Sequence, residues 1–269
     1  MTATQNKQIK LPAGLEFLRT LPMPRKIGLL GRLYGPLLEK HGVTWVKTSP
    51  GPIWKLDLRN MTHRWIVLGE YEGPGLISWA KQWLHEDSVV VDSGANIGQV
   101  LLYLAPIIRT GEYIAVEPHP VARGWLKECL CRNSGWKVRV EEFGFGEKSA
   151  RASLEGQWGE DLAVGSQTEL HVGDGEIEIK KFDDYAEARG IQKIDLWKMD
   201  MEGAEEAALR GAERMLASQA IRALVLETES GRFEGMAKFL ARHKYKPLEW
   251  DGSKINRVVS HRNVLFVAQ

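Results

Sequence analysis

The stretch VVVDSGANIGQVLLYLA at residues 89–105 constrains the fold more strongly than any other part of the chain. Its three valines predict a buried strand that ends at Asp92, and Gly94 and Gly98 predict a tight turn after it. Apolar residues return at helical spacing from Ile97 onward, which predicts a helix. A strand, a glycine turn and a helix in this order are typical of a nucleotide-binding α/β fold.

The ligand of this turn is predicted to carry positive charge rather than exposed phosphate. Position 96 is Asn, where a dinucleotide-binding turn has a glycine that lets the backbone approach a pyrophosphate. The carboxylate of Asp92 would repel phosphate, and no Gly-Lys-Ser/Thr sequence of a P-loop follows. S-adenosylmethionine carries a sulfonium and an ammonium group, and an acidic strand end attracts both.

An acidic residue at the end of the next predicted strand supports this interpretation. Glu117 follows Gly98 by nineteen residues and ends the strand YIAVE. A carboxylate in this position can accept hydrogen bonds from both ribose hydroxyls of a nucleoside. Glu142, or the backbone beside Phe143 and Gly144, would then lie near the adenine.

Each of these carboxylates also has a purely structural alternative. Asp92 alone could cap the N-terminus of the following helix. Glu117 precedes Pro118, and a residue before proline stays extended whether or not it binds a ligand. The order and spacing of the set favour the cofactor site.

Strand and helix patterns alternate through most of the chain, which predicts an α/β sandwich around a mainly parallel sheet. Ligands of such sheets bind at the carboxyl ends of the strands. Five predicted strands end on, or just before, an acidic residue: Asp92, Glu117, Glu142, Asp200 and Glu227.

Two segments depart from the alternation. Residues 1–75 are predicted to form an N-terminal extension or lid, with a basic helix (RKIGLLGRLYGPLLEK) and a hairpin (TWVKTSPGPIWKLDL), ahead of a domain at 76–269. The first forty residues are locally basic, and a solvated extension is the favoured interpretation. Residues 144–182 are predicted to make an antiparallel excursion or a loop over the sheet edge.

Composition narrows the class of partner. The formal net charge of +1 argues against a nucleic-acid substrate, which needs clustered Lys and Arg. No apolar stretch is long enough for a membrane span. The two cysteines, Cys129 and Cys131, lie on different faces of a predicted helix, so a reducing cytoplasm is expected.

Three motifs resemble the FkbM-type methyltransferases. They are VVVDSGANIG (89–98), AVEPHP (115–120) and IDLWKMDMEGAE (194–205), and GEYE (69–72) is a weaker match. The resemblance spans roughly residues 65–269, and its Lys-x-Asp-x-Glu-Gly-Ala-Glu block is the most specific part.

The resemblance implies a class I methyltransferase fold, with a Rossmann-like seven-stranded sheet and an antiparallel final strand. It implies S-adenosylmethionine as methyl donor and a hydroxyl of a sugar or natural product as acceptor. By position, it assigns cofactor binding to five residues, Asp92, Gly94, Asn96, Gly98 and Glu117, and places Asp200 and Glu202 at the mouth of the site. Ser93, Met199 and Met201 depart from the usual residues without changing a charge.

An alcohol acceptor needs a base within hydrogen-bond reach. The candidates are Asp200, Glu202, Glu227, His119 and His243, with Asp200 first because it ends the fourth strand. Lys198 is predicted to lie on the same side of this strand as Asp200 and to pair with it.

The alternative for this block is that its acidic residues serve only the following helix. Asp200 would cap that helix, and Glu202, Glu205 and Glu206 would favour its N-terminal dipole. An N-methyltransferase would also need less of a base, and a non-catalytic adenosylmethionine-binding subunit would need none.

Magnesium and the tryptophans leave further alternatives open. Asp200, Glu202 and Glu227 have the oxygen ligands that Mg²⁺ prefers, although no spacing demands a metal. Five tryptophans fall between residues 45 and 83, and packing is favoured over an aromatic face for a sugar or lipid-linked acceptor.

Overall fold

The computed structural model describes residues 8–48, 51–72, 75–155, 169–228, 230–255 and 262–269. The Ser-Pro step of the predicted hairpin turn and the middle of the 144–182 excursion lie outside these ranges.

The N-terminal segment forms a small sheet with three helices. Its strands, in the order in which they pair, are β1 (Gln8–Ile9), β2 (Val43–Lys47) and β3 (Ile53–Asp57). Its helices are α1 (Ala13–Arg19), α2 (Lys26–Glu39) and α3 (Met61–Leu68). The antiparallel β2–β3 pair confirms the predicted hairpin, and α2 confirms the basic helix.

The main sheet has seven strands within the described residues. They are β4 (Val89–Ser93), β5 (Glu112–Val116), β6 (Val138–Glu141), β11 (Leu196–Met199), β12 (Ala223–Thr228), β13 (Tyr245–Leu248) and β14 (Arg262–Ala268). Their order is β13-β14-β12-β11-β4-β5-β6, and only β14, the last in the chain, is antiparallel to its neighbours. The predicted class I sheet, with its antiparallel final strand, is confirmed.

Seven further helices connect and cover the strands. They are α4 (Leu76–Trp83), α5 (Leu101–Leu104), α6 (Pro120–Arg132), α7 (Phe182–Ala188), α8 (Glu205–Gly211), α9 (Glu213–Ala217) and α10 (Ser230–Arg242). A 3-10 turn at Glu70–Glu72 joins α3 to the region before α4. Among the residues that the structure describes, no helix combines the length and apolar character needed to cross a membrane.

Two helix predictions were wrong in their bounds. The helix expected from Ile97 starts only at Leu101, because Asn96 and Gly98 have φ of 49° and 93° and cannot continue a right-handed helix. The single helix expected after the acidic block, from Gly203 to Ser218, is divided at Ala212 into α8 and α9. At this point Gly211 packs directly on the backbone of Gly146, which leaves no room for a side chain.

The excursion is a separate sheet rather than a purely antiparallel extension of the main one. Its strands are β7 (Gly144–Gly146), β8 (Ala150–Glu155), β9 (Glu169–Val172) and β10 (Ile177–Lys181), in the order β7-β10-β8-β9. The β7–β10 pair is parallel. Helix α7 follows β10 in a region where the sequence pattern gave no helix prediction.

The core lies on both faces of the main sheet. Adjacent residues Val90 and Val91 belong to two separate apolar clusters, as expected for side chains that alternate across a strand. The first cluster also contains Leu15, Leu30 and Trp54, so the N-terminal segment shares a core with the main sheet. The domain boundary at residue 75 stays a prediction.

The packing interpretation is confirmed for four of the five clustered tryptophans. Trp45 and Trp54 are buried, and Trp79 and Trp83 pack against the first cluster, with ring centroids 5.2 Å apart. Trp65, by contrast, is 36% exposed.

Candidate active site

The glycine turn brings three strand ends together. The amide of Gly94 donates to the carbonyl of Val116 at 2.9 Å, and the amide of Asp200 donates to the carbonyl of Ser93 at 3.1 Å. Gly94 has φ of 73°, and any side chain on it would overlap the carbonyl oxygen of Asp200. Glycine is therefore required for β4 and β11 to approach this closely.

The carboxylate of Glu117 closes the turn from the side of β5. Its two oxygens accept hydrogen bonds from the amides of Asn96 and His119, each at 2.8 Å. Burial raises the pKa of Glu117 to about 6, although the hydrogen bonds from the two amides act in the opposite direction and lower it. Two of the predicted cofactor residues, Asn96 and Glu117, are thus in direct contact.

Gly98 sets the distance between the turn and α6. A Cβ at this position would lie 2.8 Å from Leu126 Cδ1, and φ is 93°. The small residue therefore allows the buried side of α6 to pack against the turn.

Asp92 and Lys198 form a buried charge pair beneath the turn. They face each other across the β4–β11 ladder, and Lys198 Nζ lies 3.2 Å from Asp92 Oδ1. The ammonium group also donates to the carbonyl of Gly94 at 2.9 Å and lies 3.5 Å from Asp200 Oδ2. The predicted pairing of Lys198 with Asp200 is confirmed.

The buried network around Asp92 also includes a tyrosine. Tyr113 donates its hydroxyl to Asp92 Oδ2 at 3.0 Å. Burial alone would lower the pKa of Lys198, but the charges of Asp92 and Asp200 outweigh it and raise that pKa above its usual value. Asp92 Oδ1 is buried and, among the described residues, accepts no hydrogen bond of good geometry.

Asp200 and Glu227 form a carboxyl pair at the ends of β11 and β12. Burial raises the pKa of Glu227 to about 8, and the charge of Asp200 and a side-chain hydrogen bond with it act in the same direction. The side chain of Asp200 is 39% exposed. At neutral pH, therefore, Glu227 holds a proton that it shares with the more accessible Asp200.

The helix-capping alternative for Asp200 does not hold. Helix α8 begins at Glu205, with Ala204 as its N-cap residue. The carboxylate of Glu205 accepts hydrogen bonds from the amides of Met201 and Gly203, at 2.7 and 3.4 Å. Glu205, rather than Asp200, holds the loop that leads into the helix.

Glu202 lies on that loop, with its side chain exposed and φ of 52°. Gly203, the next residue, has φ of 100°, and the guanidinium of Arg232 occupies the space that a side chain would need. The charge of Glu202 contributes to the raised pKa of Glu227, which places the two carboxyl groups near each other.

Glu142 joins the site through an arginine. Arg123 Nη2 lies 3.3 Å from a carboxylate oxygen of Glu142, and Arg123 Nη1 donates to the carbonyls of Glu117 and Pro118 at 2.9 and 2.7 Å. The side chain of Glu142 is 71% exposed. It therefore stands beside the Glu117 strand end and is accessible to a ligand.

Phe143 and Gly144 offer no side chain to a ligand. The Phe143 ring is buried against Phe145 and Tyr185, with ring centroids 5.2 Å away in both cases. Gly144 begins β7, and a Cβ there would lie 2.9 Å from Ile179 Cδ1.

The two candidate histidines have structural partners. His119 caps α6, where its Nδ1 accepts from the amide of Ala122 at 3.4 Å, and burial lowers its pKa to about 4. His243 follows the last residue of α10, and its Nε2 lies 4.0 Å from Glu213. Neither is placed with the Asp200–Glu227 pair.

Tyr71 is a site residue that the sequence did not single out. It lies in the 3-10 turn after α3, and its ring centroid is 6.0 Å from that of Tyr103. Burial raises its pKa, and the charges of Lys198, Asp200 and Asp92 all act on it. The only sequence signal was the weak GEYE match, which carried no chemical role.

Magnesium has no support in this geometry. Within the described part of the chain, no group of three or more His, Cys, Asp or Glu side chains is arranged to hold a metal ion. Two of the proposed oxygen ligands, Asp200 and Glu227, share a proton instead.

The residues fit S-adenosylmethionine. Asp92, Asp200 and Glu117 outnumber the single buried Lys198, so the carboxyl edge of the sheet favours a cationic ligand. The buried Oδ1 of Asp92 accepts no hydrogen bond among the described residues, and Gly94 and Asn96 of the glycine turn are partly exposed. A sulfonium, an ammonium group and ribose hydroxyls match these groups.

The strand order is that of the class I methyltransferase fold. Residues 92–247 match the family model of the methyltransferase FkbM domain. The chain belongs to this family.

Individual relatives are distant. Methyltransferase 1 of Beauveria bassiana is 24% identical over 148 residues, which cover 48% of this chain and 59% of the fungal protein. The match therefore spans less than two thirds of that relative's length.

Two solved structures illustrate the range of similarity. The methyltransferase FkbM of Methylobacillus flagellatus is 17% identical, with a TM-score of 0.49 over 77% of this chain and 54% of that chain. The magnesium protoporphyrin IX methyltransferase of Synechocystis, solved with bound S-adenosylmethionine, is 14% identical, with a TM-score of 0.43 over 72% of this chain and 76% of that chain.

Proposed function

We propose that this methyltransferase acts on a hydroxyl oxygen of a small molecule, a sugar or a natural product. The observation that carries the proposal is the Asp200–Glu227 pair at the carboxyl edge of the sheet. A hydroxyl group must lose its proton as it is methylated, and this pair supplies a carboxylate in an accessible position.

S-adenosylmethionine, when bound, supplies the electrophilic methyl group. Asp92 and the turn at Gly94 would hold the methionine end, Glu117 would accept hydrogen bonds from the ribose hydroxyls, and Glu142 would lie on the adenine side. Lys198 holds Asp92 and Asp200 in place, because its ammonium lies within 3.5 Å of both carboxylates. Rigid placement of the acceptor against the donor provides most of the rate acceleration in such a transfer.

Asp200 is the base in this proposal, and Glu227 is its proton-sharing partner. Asp200 is the more exposed of the two groups that accept the ammonium of Lys198, so an acceptor hydroxyl can reach it. The charge of Asp200 acts on Tyr71, and we propose that Tyr71 bounds the acceptor space from the N-terminal side.

The test uses the full chain, S-adenosylmethionine and pairs of acceptors that differ only in an alcohol or an amine. Methylated product and S-adenosylhomocysteine are measured by mass spectrometry. We expect product from alcohols and a loss of about 10²–10⁴-fold in kcat for Asp200→Asn. Glu206→Gln is the matched control, because Glu206 is exposed and pairs with Arg210 at 2.7 Å.

Other results identify the rival functions. Product from amines alone, with little effect of Asp200→Asn, would mean an N-methyltransferase. Cofactor binding without product from any acceptor would mean a binding subunit. Either result refutes the proposal.

We also propose that the protein works in the cytoplasm. Both cysteines are free, and burial raises the pKa of the Cys129 thiol to about 12. A pair of free thiols is typical of proteins that work in a reducing compartment.

A further inference from the structure

The outer face of the N-terminal helices is apolar. Helix α2 exposes Leu29, Leu33 and Leu37 by 50%, 62% and 46%, and their spacing of four residues places them in one stripe. On the neighbouring helices, Phe17 is 65% and Met61 56% exposed. With Trp65, these residues form what we call the outer apolar face.

This face is a local feature rather than a general property of the surface. Seven large apolar side chains are exposed among the described residues, and six of them belong to the outer apolar face. The seventh, Val121, lies on α6. Isolated exposed apolar residues are ordinary, but a contiguous group marks an interaction site.

The contacts that hold α2 in the fold lie away from its exposed leucines. The opposite side of α2 anchors the helix, since Leu30 and Leu38 are 0% and 1% exposed. The Lys26 ammonium donates to the carbonyl of Arg19 at 2.8 Å and ties the start of α2 to α1. The exposed leucines are therefore available to an external partner.

Exposed basic residues occur along the same N-terminal segment that carries the outer apolar face. Lys10, Arg25, Arg32 and Lys40 are exposed, and Glu39 is the only exposed acidic residue among residues 8–48. Glu39 is itself paired with Arg64 at 3.0 Å. The chain as a whole has a net charge of only +1, so the N-terminal segment that carries the outer apolar face is locally enriched in exposed positive charge.

We infer that the outer apolar face docks on an anionic lipid surface. An amphipathic helix that lies in the membrane interface inserts apolar side chains, while its basic residues meet the lipid headgroups. A second copy of the chain fits less well, because it would bring the arginines of two identical faces together. Docking does not depend on which acceptor is methylated, so it stands independently of O-methylation.

The experiment measures co-sedimentation of the full chain with vesicles. Phosphatidylcholine vesicles are compared with vesicles that also contain phosphatidylglycerol, at low and high salt. We expect binding to the anionic vesicles alone, weakened by salt. Replacing Leu29, Leu33 and Leu37 together with Gln should weaken it by about tenfold per leucine, since each is about half exposed.

Two further variants protect the test against misfolding. Arg25→Gln with Arg32→Gln should weaken binding to anionic vesicles at low salt and leave the leucines in place. Val121→Gln is the matched control, since it removes an exposed apolar side chain elsewhere and should change nothing. Melting temperature and S-adenosylmethionine affinity are measured for every variant.

Three results would overturn the inference. The first is no binding to anionic vesicles, and the second is equal binding to neutral ones. The third is a wild-type dimer by light scattering that the leucine variant converts to monomer, which would assign the face to a second copy.

Discussion

Replacing Glu227 with Gln should make the protein more stable at high pH and change little at low pH. The pKa of Glu227 is raised from its ordinary 4.5 to about 8, with burial as the largest cause and the charge of Asp200 next. The folded state therefore keeps a proton on this group that the unfolded state loses above pH 4.5. Stability falls as pH rises from 4.5 to 8 and levels off beyond that. Glutamine removes this loss because it never ionises.

The size of the effect follows from the same values. A pKa change from 4.5 to about 8 corresponds to a loss of at most about 5 kcal/mol in the free energy of unfolding. The side chain is only partly buried, so solvent screening reduces this to about 1–2 kcal/mol. For a domain of this size, that is roughly 2–8 °C in melting temperature.

The assay is thermal unfolding of the wild type, Glu227→Gln and Glu206→Gln at pH 5, 7 and 9. The difference in melting temperature between the Glu227 variant and the wild type should grow in favour of the variant from pH 5 to pH 9. The exposed Glu206 control should follow the wild type at every pH. A difference that is the same at every pH would refute the shared proton. So would a gain that is largest at pH 5.

Three other substitutions test the site. Gly94→Ala forces a side chain against the Asp200 carbonyl at a φ of 73°, and we expect a loss of about 2–4 kcal/mol in chemical denaturation; unchanged stability would contradict the close approach. Lys198→Met leaves Asp92 buried and unpaired, so unfolding free energy should fall by about 3–5 kcal/mol, and Asp92→Asn added to it should restore part of the loss. Glu117→Gln should lower the affinity for S-adenosylmethionine at least tenfold in calorimetric titration, and NAD should not bind to the wild type or the variant. Unchanged affinity in the variant would show that Glu117 does not bind the ribose.

The positions of the strands and their acidic ends could be predicted because both depend on local pattern. Runs of β-branched residues such as Val89–Val91, followed by a glycine turn, favour a strand over a helix. The alternation of side chains along a strand placed Lys198 on the same side as Asp200. Spacing along the chain was enough to place Asp92 and Glu117 at neighbouring strand ends.

What the sequence could not give depends on backbone conformation and long-range contact. The late start of α5 follows from the positive φ of Asn96, which many Asn residues do not adopt. Glu205, rather than Asp200, accepts the hydrogen bonds of the loop before the helix, because α8 begins only at Glu205 and not directly after Asp200. The charged groups that act on Tyr71, Lys198 and Asp200, lie far from it along the chain. No local sequence pattern could therefore assign Tyr71 to the site.

The apolar cluster that joins the N-terminal segment to the sheet restricts how this protein could acquire new acceptors. Leu15, Leu30 and Trp54 are fully buried together with Val90, so these elements complete one face of the sheet. Exchanging the whole segment for that of a relative would place side chains of different size and shape against β4. The resulting voids or clashes would lower the free energy of unfolding by several kcal/mol. Substitution of single side chains avoids these voids and clashes, so it is a more accessible route to a new acceptor preference than exchange of the segment as a module.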